Sequence, residues 1–413
     1  MTKRRVIVVG AGAAGLMAAG RAAECGADVL LLEKMNQPAR KLRLTGNGRC
    51  NLTNTSGLPD FLAHFRPDGR FLRQAFQQFF ASDLVALFRK LSVPTTVEKD
   101  GLVFPASGRS EDVCDALLRY IEENGAALQT KSPAERLLID NERITGVEAA
   151  GRTFTADAVI IAAGGASYPA TGSTGDGYRL AKSAGHSIVP IRPALVPLKT
   201  TGDIAQKLQG VSLADVTITT LIDGKKKSKT TGDVLFTHFG LSGPAVLNIS
   251  GPIVDALAQG RSVSVSIDLL PDLGTAALDA QLACDLNSLG RRQFHTLLKT
   301  ILQRKMVPLC AALAQIPPDT IASQITAQQR RSLVGWLKDF RLDVVGHLPF
   351  ADAMVTAGGI DTRQIDPRTM ASRLVSGLYF AGEVIDIDGR TGGYNLQAAF
   401  STARLAALAA AAV

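Results

Sequence analysis

An α/β fold built on a parallel sheet is predicted by three observations. The N-terminus carries a strand–turn–helix–strand unit with a glycine-rich turn, the middle of the chain is first β-rich and then helical, and the closing segment returns to glycine turns beside buried strands. In the first unit the apolar run 6–9 (VIVV) leads into GAGAAG at 10–15, an alanine-rich helical stretch, a second apolar run at 29–32 and then Glu33. Each part has a physical task. Gly10 permits the tight turn, Gly12 lets backbone approach a pyrophosphate, and Gly15 lets helix and strand pack closely. The helix start, with Ala13 and Ala14, supplies amide donors. Glu33 is placed to accept hydrogen bonds from an adenosine ribose, which favours FAD or NAD over NADP.

The loop 40–54 (RKLRLTGNGRCNLTN) follows directly and gathers cations, small residues and amides. It suits an extended, doubly phosphorylated cofactor: Lys41 and Arg49 can pair with phosphate, while Thr45, Gly46 and Asn51 offer close backbone approach and hydrogen bonds. Composition alone would also allow a basic surface loop. Residues 71–92 and 110–124 have helical apolar spacing, and short strand-like runs alternate with turns from about 126 to 162. The run 157–162 (DAVIIA) ends in Ala163, Gly164 and Gly165, glycines placed where a strand passes beneath a nucleotide. The loop 168–178 then feeds a helical segment at 179–185.

Past Pro190 the texture becomes β-rich, with strands expected at 195–198, 211–222, 234–236 and 262–267 and a Gly-Pro turn at 243–244. Helical amphipathic segments are expected from about 272 to 345. The predicted division is a discontinuous cofactor domain at 1–190 and 350–413, an inserted β-rich domain at 191–271 and an inserted helical domain at 272–349. In the closing segment, 377–383 (GLYFAGE) reads as a buried strand running into an acidic loop, and Gly393 precedes a final helix whose positive end can face a flavin pyrimidine carbonyl.

Composition narrows the function class. The 413 residues, 46% hydrophobic with 39 glycines, have the profile of a globular α/β enzyme of two or three lobes, not of a disordered or fibrous chain. Cys25, Cys50, Cys114, Cys284 and Cys310 are scattered with no CxxC pair, so a zinc site or disulfide framework is not expected. A strand begins at once, and the apolar stretches are too short to span a bilayer; a cytoplasmic location without a membrane partner is the expectation. The net charge of +8 would attract polyanions. Its densest run, Lys225, Lys226, Lys227 and Lys229, reads first as a solvated hairpin tip and otherwise as an RNA contact.

Taken together, GAGAAG (10–15), the 40–54 loop, TGSTGDGY (171–178), LFTHFGLSGPA (235–245), TAGGI (356–360) and GLYFAGEVIDIDGRTGGYNLQ (377–397) closely resemble the YhiN/BaiN-like FAD-binding flavoproteins. The resemblance covers nearly the whole chain. It implies a Rossmann-type FAD domain built from both ends of the chain, interrupted by a β-barrel-like lobe and a helical lobe. It also implies a more distant likeness to fumarate reductase and aspartate oxidase flavoproteins. Carried over by motif, dinucleotide contacts fall on Gly10, Gly12, Ala14, Gly15, Glu33, Lys41, Arg49 and Gly164. Isoalloxazine contacts fall on Thr45, Gly46, Asn51, Gly382, Glu383, Asn395 and Leu396. Ala13, Lys34, Leu42, Cys50, Ala134, Ala163 and Gly393 complete the implied cofactor set. No histidine precedes His64, so the cofactor loop lacks a covalent anchor and the FAD is expected to be non-covalent.

Three catalytic candidates stand out. Cys50 can donate a proton or be a small buried thiol. His238 would face the flavin across a cleft or be a structural loop histidine. Arg390 can bind an anionic substrate or pair with a nearby carboxylate. Tyr168 reads as a pocket wall. The resemblance implies flavin-dependent reduction of a conjugated C=C bond, with a uridine in ribosomal RNA or a small molecule as substrate and NAD(P)H as a transient reductant, since no second GxGxxG is present. An amine oxidase using oxygen and a non-catalytic flavin-bearing RNA-binding protein are the alternatives. No motif specifies the oligomeric state.

Overall fold

The computed structural model describes residues 3–412. Met1–Ala194 with Phe350–Val413 form one compact unit, and Leu195–Pro349 form a second. In the first unit five strands make a parallel sheet in the order Leu378–Phe380, Ala158–Ile161, Arg5–Val9, Asp28–Leu32, Ala127–Gln129. The two ends of the chain thus meet in one sheet. The apolar runs explain this: Val6 to Val9 and Ala158 to Ile161 are buried along their whole length, as parallel strands covered on both faces require. The first helix, Ala13–Glu24, packs against the closing helix Tyr394–Ala411 and against Ser110–Glu123.

Smaller antiparallel pieces complete this unit. Ala134–Asp140, Arg143–Ala149 and Arg152–Thr155 form a meander. Phe65–Arg66 pairs with Asp388–Gly389, and Ile188–Ala194 pairs with Val355–Ile360. The loop expected at 40–54 contains a short helix, Arg40–Leu44, followed by a 3-10 turn.

The second unit is a closed six-stranded barrel with helices on one core. Its strand order is Leu198–Thr200, Gly240–Ser242, Lys225–Phe236, Ser212–Ile222, Val263–Asp268, Phe340–His347. Two elements differ from the sequence expectation. The Gly-Pro at 243–244 opens a helix, Pro244–Ala258: proline suits the first helical position, and Pro252 inside the segment had masked the pattern. Residues 340–347 form the last barrel strand, not helix. Phe340, Leu342 and Val344 alternate inward with exposed Arg341, Asp343 and Val345, a two-residue period obscured by the adjoining helix Ala327–Lys338. No helix among the described residues is long and apolar enough to cross a membrane.

Candidate cofactor and substrate site

The N-terminal turn is constrained by close packing. Gly10 has φ +97°, and a Cβ there would lie 2.8 Å from the Ala162 carbonyl oxygen; a Cβ on Gly15 would lie 1.7 Å from the Gly10 carbonyl oxygen. A Cβ on Gly12, by contrast, would meet nothing within 4 Å. The start of the first helix carries no side-chain cap, so its leading amides at Gly12, Ala13 and Ala14 have neither a cap nor an intrahelical acceptor. Glu33 is buried. Its Oε2 accepts from the Ala11 amide and its Oε1 from the Met35 amide, both at 2.8 Å. The carboxylate braces the turn and keeps lone pairs for ribose hydroxyls. An uncapped helix start, an unobstructed Gly12 and a buried acid on the second strand fit a dinucleotide of the FAD type.

Side chains of the cofactor loop have partners within the fold. Arg49 is ion-paired with Glu98, and its guanidinium carbon lies 4.1 Å from the Phe104 ring centre. Asn51 is consumed within the fold. Oriented to satisfy its neighbours, its amide donates to the carbonyls of Thr53 (3.0 Å) and Val103 (3.1 Å) and accepts from the Gly393 amide (3.1 Å). Thr45 Oγ1 donates to the Leu42 carbonyl at 2.7 Å, closing the short helix over buried Leu42; Gly46 lets the loop turn back, since a Cβ there would sit 2.9 Å from the Asn51 nitrogen. Lys34 bonds Thr174 and Asp176.

Cys50 is fully buried, and burial pushes its thiol up to about 12. Its thiol is therefore protonated near neutral pH, which favours the reading as a small buried thiol over that as a proton donor. Cys50→Ala is expected to keep turnover within about twofold and to cost stability of about 1 kcal/mol from the lost packing; a large fall in turnover at unchanged flavin content would restore the thiol to the mechanism.

Lys41 also has a partner inside the protein. Its Nζ lies 2.7 Å from Glu383 Oε2 and 2.6 Å from Ser167 Oγ. Glu383 Oε1 accepts from the Thr356 amide (2.8 Å) and from Ser167 Oγ (3.0 Å), while Thr356 Oγ1 accepts from the amides of Ala166 and Ser167. Four distant segments are tied at one carboxylate. Half-buried Ala163 and Gly164 lead into that knot, and Gly382 beside it donates its amide to Thr402 Oγ1 on the closing helix. Ala134 starts the meander two residues after Ser132, whose amide donates to the Glu33 carbonyl at 2.8 Å, and its own carbonyl accepts from Arg179. Tyr168 donates its amide to the Phe350 carbonyl and is half-buried.

The closing helix begins uncapped after Gly393, with Leu396 half-buried in its first turn. Asn395 clamps the approach: its Oδ1 accepts from the Gly389 amide and its Nδ2 donates to the Gly389 carbonyl, each at 2.8 Å, and to the Arg390 carbonyl at 3.2 Å. The two-residue ladder pairs Asp388 with Arg66 and Gly389 with Phe65. Extended by one residue, it sets Arg390 opposite His64, whose carbonyl accepts the Arg390 amide at 3.1 Å. Residues opposite one another in such a pair are neighbours, so Arg390 lies beside His64 and Asp388 beside Arg66. Arg66 takes the buried Asp388 carboxylate at 2.7 Å. The Arg390 guanidinium is exposed, and among the described residues no carboxylate pairs with it. The His64 ring stands edge-on to Tyr394 at 4.2 Å between centres. Burial, with the Arg390 charge second, lowers the His64 pKa, and burial raises that of Tyr394.

His64 and Ser167 carried no motif, Thr356 was visible only as the first residue of TAGGI, and Tyr394 only as part of GGYN. His238 is exposed in the second unit, at the turn between Lys225–Phe236 and Gly240–Ser242, with its ring edge-on to Phe239 at 5.0 Å. Its role in the reaction is untouched by these local contacts.

Comparison with known proteins agrees with this geometry. The chain is 32% identical over 409 residues to the 3-dehydro-bile acid delta(4,6)-reductase of Clostridium scindens, covering 98% of this chain and 99% of that one. It is also 32% identical over 403 residues to the ribosomal RNA dihydrouridine synthase of Escherichia coli, covering 98% and 97%. Among solved structures, the 3-ketosteroid delta1-dehydrogenase of Sterolibacterium denitrificans matches with a TM-score of 0.52 at 15% identity, covering 100% of both chains. A 3-ketosteroid-delta4-(5alpha)-dehydrogenase from Rhodococcus jostii RHA1 matches with a TM-score of 0.50 at 14% identity, covering 100% and 97%. These two likenesses show the fold. The protein is a flavin-dependent oxidoreductase. With the model described as "HI0933-like protein Rossmann domain" matching residues 4–409, the chain belongs to the HI0933-like family.

Proposed function

We propose that the protein is an FAD-dependent reductase that saturates a conjugated C=C bond, and that its substrate is a uridine in ribosomal RNA. The observation that carries the reading is the Arg390 guanidinium, in no ion pair among the described residues, set opposite His64 beside the uncapped start of the closing helix. Saturating a C=C bond conjugated to a carbonyl places negative charge on the carbonyl oxygen as hydride arrives, and a cation beside a positive helix end opposes that charge. Bound FAD would supply the hydride, with NAD(P)H as its transient reductant. The Gly12, Ala13 and Ala14 amides would hold the pyrophosphate and Glu33 the ribose, without a covalent bond. Lys41, Ser167 and Thr356 hold Glu383 in place. Tyr394 and neutral His64 are the groups positioned to move a proton near Arg390. His238 stays a candidate contact from the second unit. Two relatives named for reductive chemistry, one acting on ribosomal RNA, support the reading; a cytoplasmic location follows from it.

The test is to reduce the purified flavoprotein without oxygen and to mix it with ribosomal RNA lacking dihydrouridine or with a panel of small enones. Reoxidation by RNA with formation of dihydrouridine is expected. Reoxidation by an enone alone would move the substrate to a small molecule. Rapid reaction with oxygen, and with none of these, would make the protein an oxidase.

A further inference from the structure

We propose that the lysine-rich hairpin of the second unit is an RNA-docking ribbon that grips the phosphate backbone, apart from the residues assigned to the cofactor. The inference rests on the RNA reading of the substrate. Asp223 and Gly224 form a two-residue turn with φ of +51° and +72°, suited to a tight hairpin, and the lysine run lies on the returning strand, not in the loop. Lys225, Lys226, Lys227 and Lys229 are all exposed.

Register brings their charges together. Ile222 pairs with Lys225, Leu221 with Lys226, Thr220 with Ser228 and Thr219 with Lys229, so Lys227 is an inserted bulge residue. In an unbroken strand, side chains three residues apart point to opposite faces. Here Lys226 and Lys229 oppose Leu221 and Thr219, which are two apart, and the bulge therefore sets both lysines on one face. That face is the outside of the barrel, because Ile218 and Ile222, the alternate residues, belong to the barrel core. The nearest carboxylates are engaged: Asp223 with Arg261 and Ser262, Asp339 with Arg341 and Ser266, although Asp339 stays within electrostatic reach of Lys226. The next strand takes only Leu235 and Phe236, leaving the other edge of residues 225–234 unpaired among the described strands.

Lysines on an open edge can also serve only to block edge-to-edge aggregation. Three features favour RNA. The charges are concentrated in five residues, the ribbon is held by a tight turn and so loses little freedom on binding, and residues 223–229 include no apolar side chain of the kind that inserts into a bilayer. The relative from Escherichia coli is named for an RNA substrate.

The experiment compares the FAD-loaded protein with two quadruple variants, using a labelled ribosomal RNA fragment and vesicles containing phosphatidylserine. One variant replaces Lys225, Lys226, Lys227 and Lys229 by Gln. The other replaces Lys90, Lys131, Lys182 and Lys299, exposed lysines elsewhere, and removes the same total charge. For the hairpin variant the slope of log affinity against log salt is expected to shrink by about 3, from roughly 0.7–0.9 per phosphate contact, and RNA binding to weaken at least about tenfold. Flavin content and NADH-driven oxygen consumption should match the parent. Equal weakening in both variants would overturn the hairpin assignment, as would aggregation of the hairpin variant at unchanged RNA affinity. Hairpin-dependent binding to vesicles in place of RNA would make the ribbon a membrane contact and overturn it too. Absence of RNA binding by the parent protein would instead remove the RNA reading of the substrate, and the ribbon proposal with it.

Discussion

Gly12→Ala is expected to yield a folded protein that has lost its flavin, whereas Gly15→Ala loses fold and flavin together. The two glycines lie three residues apart in one motif, yet their surroundings differ. A methyl group on Gly15 would be driven to 1.7 Å from the Gly10 carbonyl oxygen, so helix and strand must separate in the centre of the parallel sheet. Such overpacking costs about 3 kcal/mol or more. A methyl group on Gly12 meets no protein atom within 4 Å, so the chain itself gives no reason for that position to be glycine. A pyrophosphate seated on the helix amides does give one, because the methyl would stand between the phosphate and its donors. FAD affinity should fall at least about tenfold in Gly12→Ala, equivalent to roughly 1.4 kcal/mol, with the melting temperature of the FAD-free protein unchanged. Flavin absorbance after purification and thermal unfolding of both FAD-free variants decide it. Full flavin content in Gly12→Ala would mean that the cofactor does not approach this turn.

The same contrast explains how much was legible in the sequence. The N-terminal turn was readable because its chemistry is local: strand, glycines, helix and acid lie between Val6 and Glu33, and each has a backbone reason. Even Glu33 was legible as a site residue, though not its grip on the Ala11 and Met35 amides. The protein partners of the cofactor-loop cations were not legible, because charge gives affinity for phosphate and for carboxylate alike. Arg49 found Glu98, and Lys41 found Glu383 at a separation of 342 residues. The two readings of Cys50 stayed open for a related reason: sequence places a thiol near a cofactor but does not give its burial. His64 acquires meaning only when Phe65–Arg66 pairs with Asp388–Gly389, a two-residue ladder joining segments from opposite ends of the chain.

That ladder carries the second large effect. Arg390→Ala is expected to lower kcat/KM for the carbonyl substrate by roughly 10²- to 10³-fold, the loss seen when a donor opposing transition-state charge is removed. Flavin content and stability should change little. The exposed guanidinium makes no ion pair among the described residues, and removal of such a surface group is typically felt within about 0.5 kcal/mol. Arg66 supplies the control from the same ladder. Its guanidinium holds Asp388, whose side chain is 4% exposed, so Arg66→Ala takes the countercharge from a buried carboxylate and is expected to lower the melting temperature. A general disturbance of this ladder would give both variants the same behaviour; a substrate role for Arg390 separates them, one losing turnover and the other stability. Arg390→Lys should recover part of the rate, since it keeps the charge but not the planar fork. Wild-type kcat/KM in Arg390→Ala would remove the cation from the reaction and leave the start of the closing helix as the remaining positive element opposing the charge on the substrate oxygen.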